Sequence, residues 1–323
     1  MSRQNPPMNP HAVEYPARLR DAFGTRTVTG LHRLADNPLF GDAALTELLD
    51  RMPRERLYAF STGTDPERVE DNRLAVHVGV SGAQLLQAVR RGRLWLNATR
   101  VDLADPRYRD LIRELYVELA AQIPGFVPES SQGTLLISSP RALVYYHADG
   151  PASVLWHVRG RKRVWVYPAL HAGYMQRELL EDIFAGVRHE YLPYARDYDD
   201  GAQIFDLAPG QWIAWPQNAP HRVTNLDGVN VSLSTEYFTA ASRRRFQIYV
   251  ANRFLRTRLG LSGLSAREDG AMAVAKTLLQ RSARRLGLNP LSFRQHAPVL
   301  RVAADAPAGV LPLTAGDAGA AHD

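Results

Sequence analysis

The sequence predicts a mainly β fold, an antiparallel barrel or sandwich with helices before and after it. Three observations carry this. Between about residues 133 and 239, short runs such as GTLLISS, RALVYYHAD, KRVWVYP and GVNVSLSTEYF are punctuated by Gly, Pro and Asn. Upstream, apolar residues recur at helical spacing, and after Thr239 that spacing returns. With 323 residues, 45% hydrophobic and 22% charged, the chain is long enough to bury a large core.

Taken in order, residues 1 to about 30 are Pro- and Arg-rich without periodicity and read as an arm laid over the surface. DNPLFGDAALTELLDRMP predicts a helix on Leu45, Leu48 and Leu49, stopped by Pro53. SGAQLLQAVRRG predicts a second, with Ser81 as N-cap and Gly92 as the stop. RLWLNATRV alternates like a strand. DPRYRDLIRELYVELAAQI is the strongest helical stretch: Pro106 sits in its first turn, and Leu111, Ile112, Leu115 and Leu119 form an apolar face. Within the β block, Arg159-Gly160 predicts a two-residue hairpin turn, which places Leu155, His157, Lys162, Val164 and Val166 on one face. A longer turn would shift the register and leave Lys162 in solvent beside Arg161 and Arg163; pattern alone leaves both readings open. Residues 170–200 read as a charged, more helical insert.

Beyond Thr239, Phe246/Tyr249/Val250 and Val274/Leu278/Leu279 give two apolar stripes, each followed by glycine, which predicts a helical hairpin. The last twenty residues, rich in Ala, Gly and Pro, read as loose. The chain thus divides into an N-terminal arm and helices (1–130), a β core (131–239) with the insert, a C-terminal helical region (240–303) and a flexible tail (304–323).

The absence of cysteine excludes disulfides, thiolate metal sites and cysteine nucleophiles, so any metal must be held by histidine and carboxylate. No apolar leader segment and no 18-residue apolar run is present, so a soluble, cytoplasmic protein is expected. Net charge is +6, but residues 240–301 hold twelve Arg and one Lys against Glu268 and Asp269. That basic segment suits nucleic acid or an acidic partner, although solvated helix faces account for it more simply.

His147 and Asp149 lie two apart near a strand end and share a face if the strand is regular. In PGQWIAWPQNAPHRVTN, a Pro-Gly turn, a strand and a loop lead to His221, which offers a third ligand. Two imidazoles and a carboxylate leave three octahedral positions open, the facial arrangement of non-heme iron oxygenases. An isolated H-x-D says little, and a lone histidine is more often a satisfied core residue. The context makes the case: both pieces lie at strand ends in one β block, with Lys162 between them. An inward lysine is costly in an apolar interior unless an anion meets it, and a bound dicarboxylate supplies one.

The block from Leu135 to Tyr237 resembles the Jumonji-C and cupin-like family of Fe(II)/2-oxoglutarate-dependent oxygenases, in particular the asparaginyl hydroxylase acting on hypoxia-inducible factor. LLISSPRALVYYHADGPASVLWHVRGRKRVWVYP and DLAPGQWIAWPQNAPHRVTN carry the resemblance. It implies a double-stranded β-helix (a jelly roll), with His147, Asp149 and His221 binding Fe(II) and Lys162 pairing with the far carboxylate of 2-oxoglutarate. It implies oxygen as co-reactant, a peptide side chain or small amino-acid-like molecule as substrate, and a homodimer through the C-terminal helices. There are departures from the family. Val144 stands where a threonine is usual, so Tyr145 is the alternative hydroxyl for the cosubstrate. Ser234 replaces an asparagine, and Ser153 a polar amide facing the cosubstrate. Trp156, Trp165, Trp212 and Trp215 are expected to pack the barrel, His157 to be a buried structural residue, and the insert, with Tyr174, Tyr191, Tyr194, Asp197, Asp199 and Asp200, to set specificity. Two other readings remain: a cupin metalloenzyme without 2-oxoglutarate, and a non-catalytic protein binding nucleic acid through the basic helices.

Overall fold

The architecture comes from a computed structural model, which describes residues 13–288 and 297–314. The N-terminal part supplies strands β1 (Val13–Glu14) and β2 (Val28–His32), helix α1 (Asp42–Arg51), strands β3 (Leu57–Ser61) and β4 (Arg73–Val76), helix α2 (Gly82–Arg91) and strand β5 (Leu94–Ala98). A short helix α3 (Val101–Ala104) then leads into α4 (Pro106–Gln122). The start and stop residues act as predicted. Ser81 and Gln84 form a reciprocal capping box on α2, and Asp105 caps α4 ahead of Pro106.

The central part supplies β6 (Ser130–Ser138), β7 (Leu143–His147) and β8 (Ala152–Val166), then helix α5 (Arg177–Phe184), then β9 (Gln203–Leu207), β10 (Gln211–Ala214) and β11 (His221–Phe238). Helices α6 (Ala240–Leu259) and α7 (Gly270–Arg285) follow, and β12 (Leu300–Val302) and β13 (Val310–Pro312) close the described chain.

Two long strands organise the molecule. The first half of β8 pairs with β10 and with the second half of β11; the second half of β8 pairs with β9 and with the first half of β11. Both strands therefore belong to two sheets. The larger runs β1-β2-β10-β8-β11-β6-β5-β3-β4-β12-β13, and the smaller, β9-β8-β11-β7. Leu155 and Ile213 of the larger sheet and Val164, Val166, Leu207 and Val223 of the smaller pack into one buried cluster, so the sheets face each other as in a jelly roll. The outer face of the larger sheet, with Trp156, Ile137 and Leu233, is covered by Leu111, Ile112, Leu115 and Leu119 of α4. A third cluster joins Tyr146 and Tyr167 to Leu180 and Phe184 of α5 and to Tyr249 and Val250 of α6.

Five expectations are corrected. Arg159-Gly160 is not a hairpin turn. The strand continues through Gly160 at φ +78°, with a register irregularity against β11. This bulge re-phases the strand by one residue, as the turn would have done, so Leu155, Val164 and Val166 still share a face. The arm contains a strand, because Val28–His32 pairs with β10. The sheet does not begin at 131, since β5 extends it through β3 to β4, and β12 joins β4 in parallel. The loose tail includes β13; residues 315–323 lie outside the described residues. Finally, α7 packs on α6 through Ala273, Lys276, Gln280 and Ala283, so the predicted stripe faces outward, with Val274 59% and Leu278 56% exposed. Ala273 and Ala283 let the two helices approach, and buried Lys276 is satisfied by donating to the Ser265 carbonyl. Among the described residues no helix is long and apolar enough to cross a membrane.

Gly160 is where β8 and β11 cross. A Cβ there would meet the Asn230 amide at 2.6 Å and the Val229 carbonyl at 2.9 Å, on a backbone conformation that costs an L-residue about 1–2 kcal/mol. Gly160→Ala is therefore expected to destabilise the fold by about 2 kcal/mol or more, read as a lowered urea midpoint; an unchanged midpoint would contradict the crossing.

Candidate metal centre

His147 ends β7 and His221 begins β11, and the antiparallel register places them directly opposite each other. Their rings lie 4.1 Å apart. Asp149 follows β7 in a turn tied down by Asn218, whose Nδ2 donates to the Asp149 carbonyl over 2.8 Å. Asn218 adopts φ +66°, a conformation that asparagine tolerates better than most residues. The three side chains converge. His147 Nε2 lies 3.6 Å from Asp149 Oδ1, His221 Nε2 lies 3.7 Å from Asp149 Oδ2, and one ligand atom from each falls within 4.8 Å of the others.

Two atoms each about 2.1 Å from one ion can be up to about 4.2 Å apart, so the two His–Asp spacings fit a single cation. The donor set also fits. His147 Nδ1 meets the Tyr145 carbonyl at 2.7 Å, and His221 Nδ1 meets the Ala219 carbonyl at 3.0 Å. Each carbonyl can only accept, so each Nδ1 carries the hydrogen and each Nε2 presents its lone pair inward. Burial, with His147 adding to it, pulls the His221 imidazole down to about 4, which keeps it neutral as a ligand must be. Trp215 packs against the His221 ring at 4.2 Å.

Lys162 lies on the second half of β8 and is 4% exposed. Of the two readings left open, the inward one holds. Among the described residues no carboxylate pairs with it, and burial pulls its ammonium down to about 7. His157 shares the interior, with Nε2 donating to the Gly160 carbonyl at 2.9 Å and Nδ1 meeting the Ser232 hydroxyl at 3.0 Å. Both ring nitrogens are thus satisfied, the structural role expected of it.

The other cosubstrate candidates divide. Ser153 is buried, and its hydroxyl donates to Asp149 Oδ2 at 2.8 Å, so it orients a metal ligand. The Tyr145 hydroxyl accepts from the Gly63 N–H at 2.9 Å, which turns it toward the loop after β3. Ser234 is half-buried on β11, opposite Leu155 and Thr134. In the insert, Asp199 accepts from Tyr167, Tyr194 and Arg222, and Arg222 stacks on Trp165 at 3.5 Å, which clamps the insert to the sheet next to His221.

Sequence reasoning missed two acidic side chains beside the triad. On β11, Thr235 and Tyr237 point to the helix-covered side, where Tyr116 and Trp156 donate to Thr235. Ser232, Ser234 and Glu236 therefore face inward, and alternation from Ser234 was the signal that could have found Glu236. Burial and then Asp149 push Glu236 up to about 7, and Gln132 donates to it. Glu190 closes the insert. Its carbonyl accepts from the Ala148 N–H and its neighbour Tyr191 bridges to His147, while its own side chain is exposed to solvent.

No family model and no curated protein matches the chain. Among solved structures, the chain is similar to the X-ray structure of Escherichia coli ycfD, with a TM-score of 0.49 and 13% identity over 84% of this chain and 68% of that one. A second structure, described as the Escherichia coli ribosomal oxygenase YcfD, gives 0.43 and 13% over 90% of this chain and 74% of that one. These are likenesses of fold at low identity, and nothing about ligand or substrate follows from them.

Ser153→Ala is expected to weaken binding of Mn(II) or Co(II) roughly 10-fold, and Asp149→Ala by more, by calorimetry; wild-type affinity in Asp149→Ala would contradict the site. A second expectation concerns pH. Burial and the Lys162 charge pull His157 down to about 3, far below the roughly 6.5 of an unfolded imidazole. The unfolded chain therefore takes up its proton first as pH falls. The stability held by the neutral ring is complete above about pH 6.5 and drains away on acidification, by about 2 kcal/mol at pH 5. In His157→Gln the slope of unfolding free energy between about pH 7 and pH 5 should be shallower; an equal slope would refute this.

Proposed function

We propose that this chain is an Fe(II)- and 2-oxoglutarate-dependent oxygenase that hydroxylates a protein or peptide side chain, or an amino-acid-like small molecule. The observation that carries the reading is Lys162, a buried ammonium with no anionic partner among the described residues, on the strand half that pairs with the start of β11, where His221 joins His147 and Asp149 in a triad. A cupin enzyme that needs only a metal has no use for that charge, and burying it is costly unless a ligand answers it.

His147, Asp149 and His221 would hold the iron. Bound there with 2-oxoglutarate, it supplies the oxidising power for attack on an unactivated C–H bond. The chain's residues do the rest. The carbonyls of Tyr145 and Ala219 aim the two imidazoles, and Ser153 aims the carboxylate. Lys162 meets the far carboxylate of the diacid and sets its depth. The apolar walls, Leu155, Val164, Val223 and Trp215, exclude water around the reacting centre.

Anaerobic titration with Fe(II) and 2-oxoglutarate should show both binding, with succinate released on admitting air. Lys162→Ala should raise the 2-oxoglutarate requirement roughly 30-fold or more, since losing one partner of a buried charge pair costs about 2 kcal/mol at least. Metal binding without any affinity for 2-oxoglutarate would overturn the proposal in favour of a cupin enzyme of another kind.

A further inference from the structure

Solvent does not reach the triad evenly. The His147 and Asp149 side chains are 12% and 16% exposed and that of His221 only 4%, so the way in lies on the His147–Asp149 side. Two tyrosines flank it. The Tyr191 ring lies 6.3 Å from the His147 ring and 6.4 Å from the Tyr145 ring, and the Tyr145 carbonyl accepts from His147 Nδ1.

The loop between β3 and β4 rests on both tyrosines. At one end the Gly63 N–H donates to the Tyr145 hydroxyl over 2.9 Å; at the other, Asn72 Nδ2 donates to the Tyr191 hydroxyl over 2.7 Å. Thr62 and Asn72 are buried, so both ends are fixed. They also lie close together, since a Cβ added at Gly63 would meet Asp71 Cβ at 2.7 Å, which gives the loop the closed outline of an Ω-loop. Its middle is exposed, and the backbone bonds from Arg68 to Asp65 and from Asp71 to Arg68 stay within it.

That middle is tied to the insert by Arg196. The guanidinium donates to Asp65 Oδ1 at 2.7 Å and to Glu67 Oε2 at 2.8 Å, and the Arg196 N–H donates to Glu67 Oε1 at 3.3 Å. The three side chains are between 36% and 64% exposed. Ion pairs in that setting are weak and are screened by salt, and segments held by such contacts open first.

We propose that residues 63–72 are a gating strap over the entry to the metal site. Its ends stay seated on Tyr145 and Tyr191, while its middle lifts when the Arg196 latch lets go and settles when the latch reforms. A ligand then enters and leaves at a rate set by this motion. The gate presupposes the proposed metal centre but not 2-oxoglutarate.

The test uses the full-length protein, free of metal and under nitrogen. Stopped-flow mixing with Co(II) is followed by quenching of tryptophan fluorescence, which Trp215 reports from its place 4.2 Å from the His221 ring. Arg196→Gln is expected to raise the association and dissociation rates together by about 5-fold and to leave the affinity unchanged. Asp65→Asn/Glu67→Gln should do the same from the other side, and combining the two sets should add nothing further. Trypsin gives a second readout, because Arg68 lies in the strap. Cleavage after Arg68, scaled to that of a short reference peptide, should quicken in both variants and, on adding salt, in the wild type. Equal Co(II) rates in wild type and variants overturn the gate, as does an altered affinity with cleavage unchanged, which would make Arg196 a binding residue. Absence of Co(II) binding in the wild type takes away the metal centre and the gate with it, whereas binding at rates indifferent to Arg196 takes away the gate alone.

Discussion

Everything in this fold depends on the place where β8 and β11 bend together, with Gly160 passing against Asn230. Asn230 is fully buried, and its amide donates to the carbonyls of Asp227 and Gly228 at 2.9 and 3.1 Å, which holds the bend of β11. Because both strands turn at one point, their halves build two facing sheets and enclose a chamber between them. The same bend delivers chemistry. Upstream of it on β8 are Ser153 and Leu155; downstream is Lys162. On β11, His221 lies before the bend, and Ser234 and Glu236 lie after it. A side chain larger than hydrogen at Gly160 would push these halves apart, and the ligands would move with them.

The chamber is electrostatically polarised along its length. At one end an ammonium is buried among His157 and apolar walls without an anion. At the other, Glu190 and Glu236 lie within electrostatic reach of Asp149. Each extreme is costly in the empty protein, and each becomes favourable when a ligand of opposite sign arrives. The proposed dianion and divalent cation would thus each meet the end that carries the opposite charge. Burial opposes charge on the His221 ring and keeps it in the neutral form a metal ligand needs.

Much of this was legible in the sequence, and for identifiable reasons. His147, Asp149, His221 and Lys162 could be read because strand periodicity states which side chains share a face, and Gly and Pro mark where strands end. Lys162 came out inward although the turn expected before it is a bulge, since both devices shift the phase by one residue. Contacts with no local signature stayed hidden. Val28–His32 is short and contains a glycine, so only its pairing with β10 makes it a strand. The stripe of α7 looked like a core face, but the helix packs on α6 through Ala273, Lys276, Gln280 and Ala283 instead. Glu190 comes from the insert, and no spacing rule connects it to Asp149. Glu236 was within reach, two residues beyond Ser234, had the inward alternation been followed to the end of β11.

The central claim is that one enclosed chamber binds a metal at His147, Asp149 and His221 and a diacid at Lys162. A crystal structure of the full-length protein with Mn(II) and 2-oxoglutarate, grown without oxygen, addresses it most directly. The account predicts one ion bonded to both Nε2 atoms and to the Asp149 carboxylate, with the far carboxylate of the diacid against Lys162 Nζ. An ion held elsewhere, or a diacid that leaves Lys162 without a partner, would contradict it.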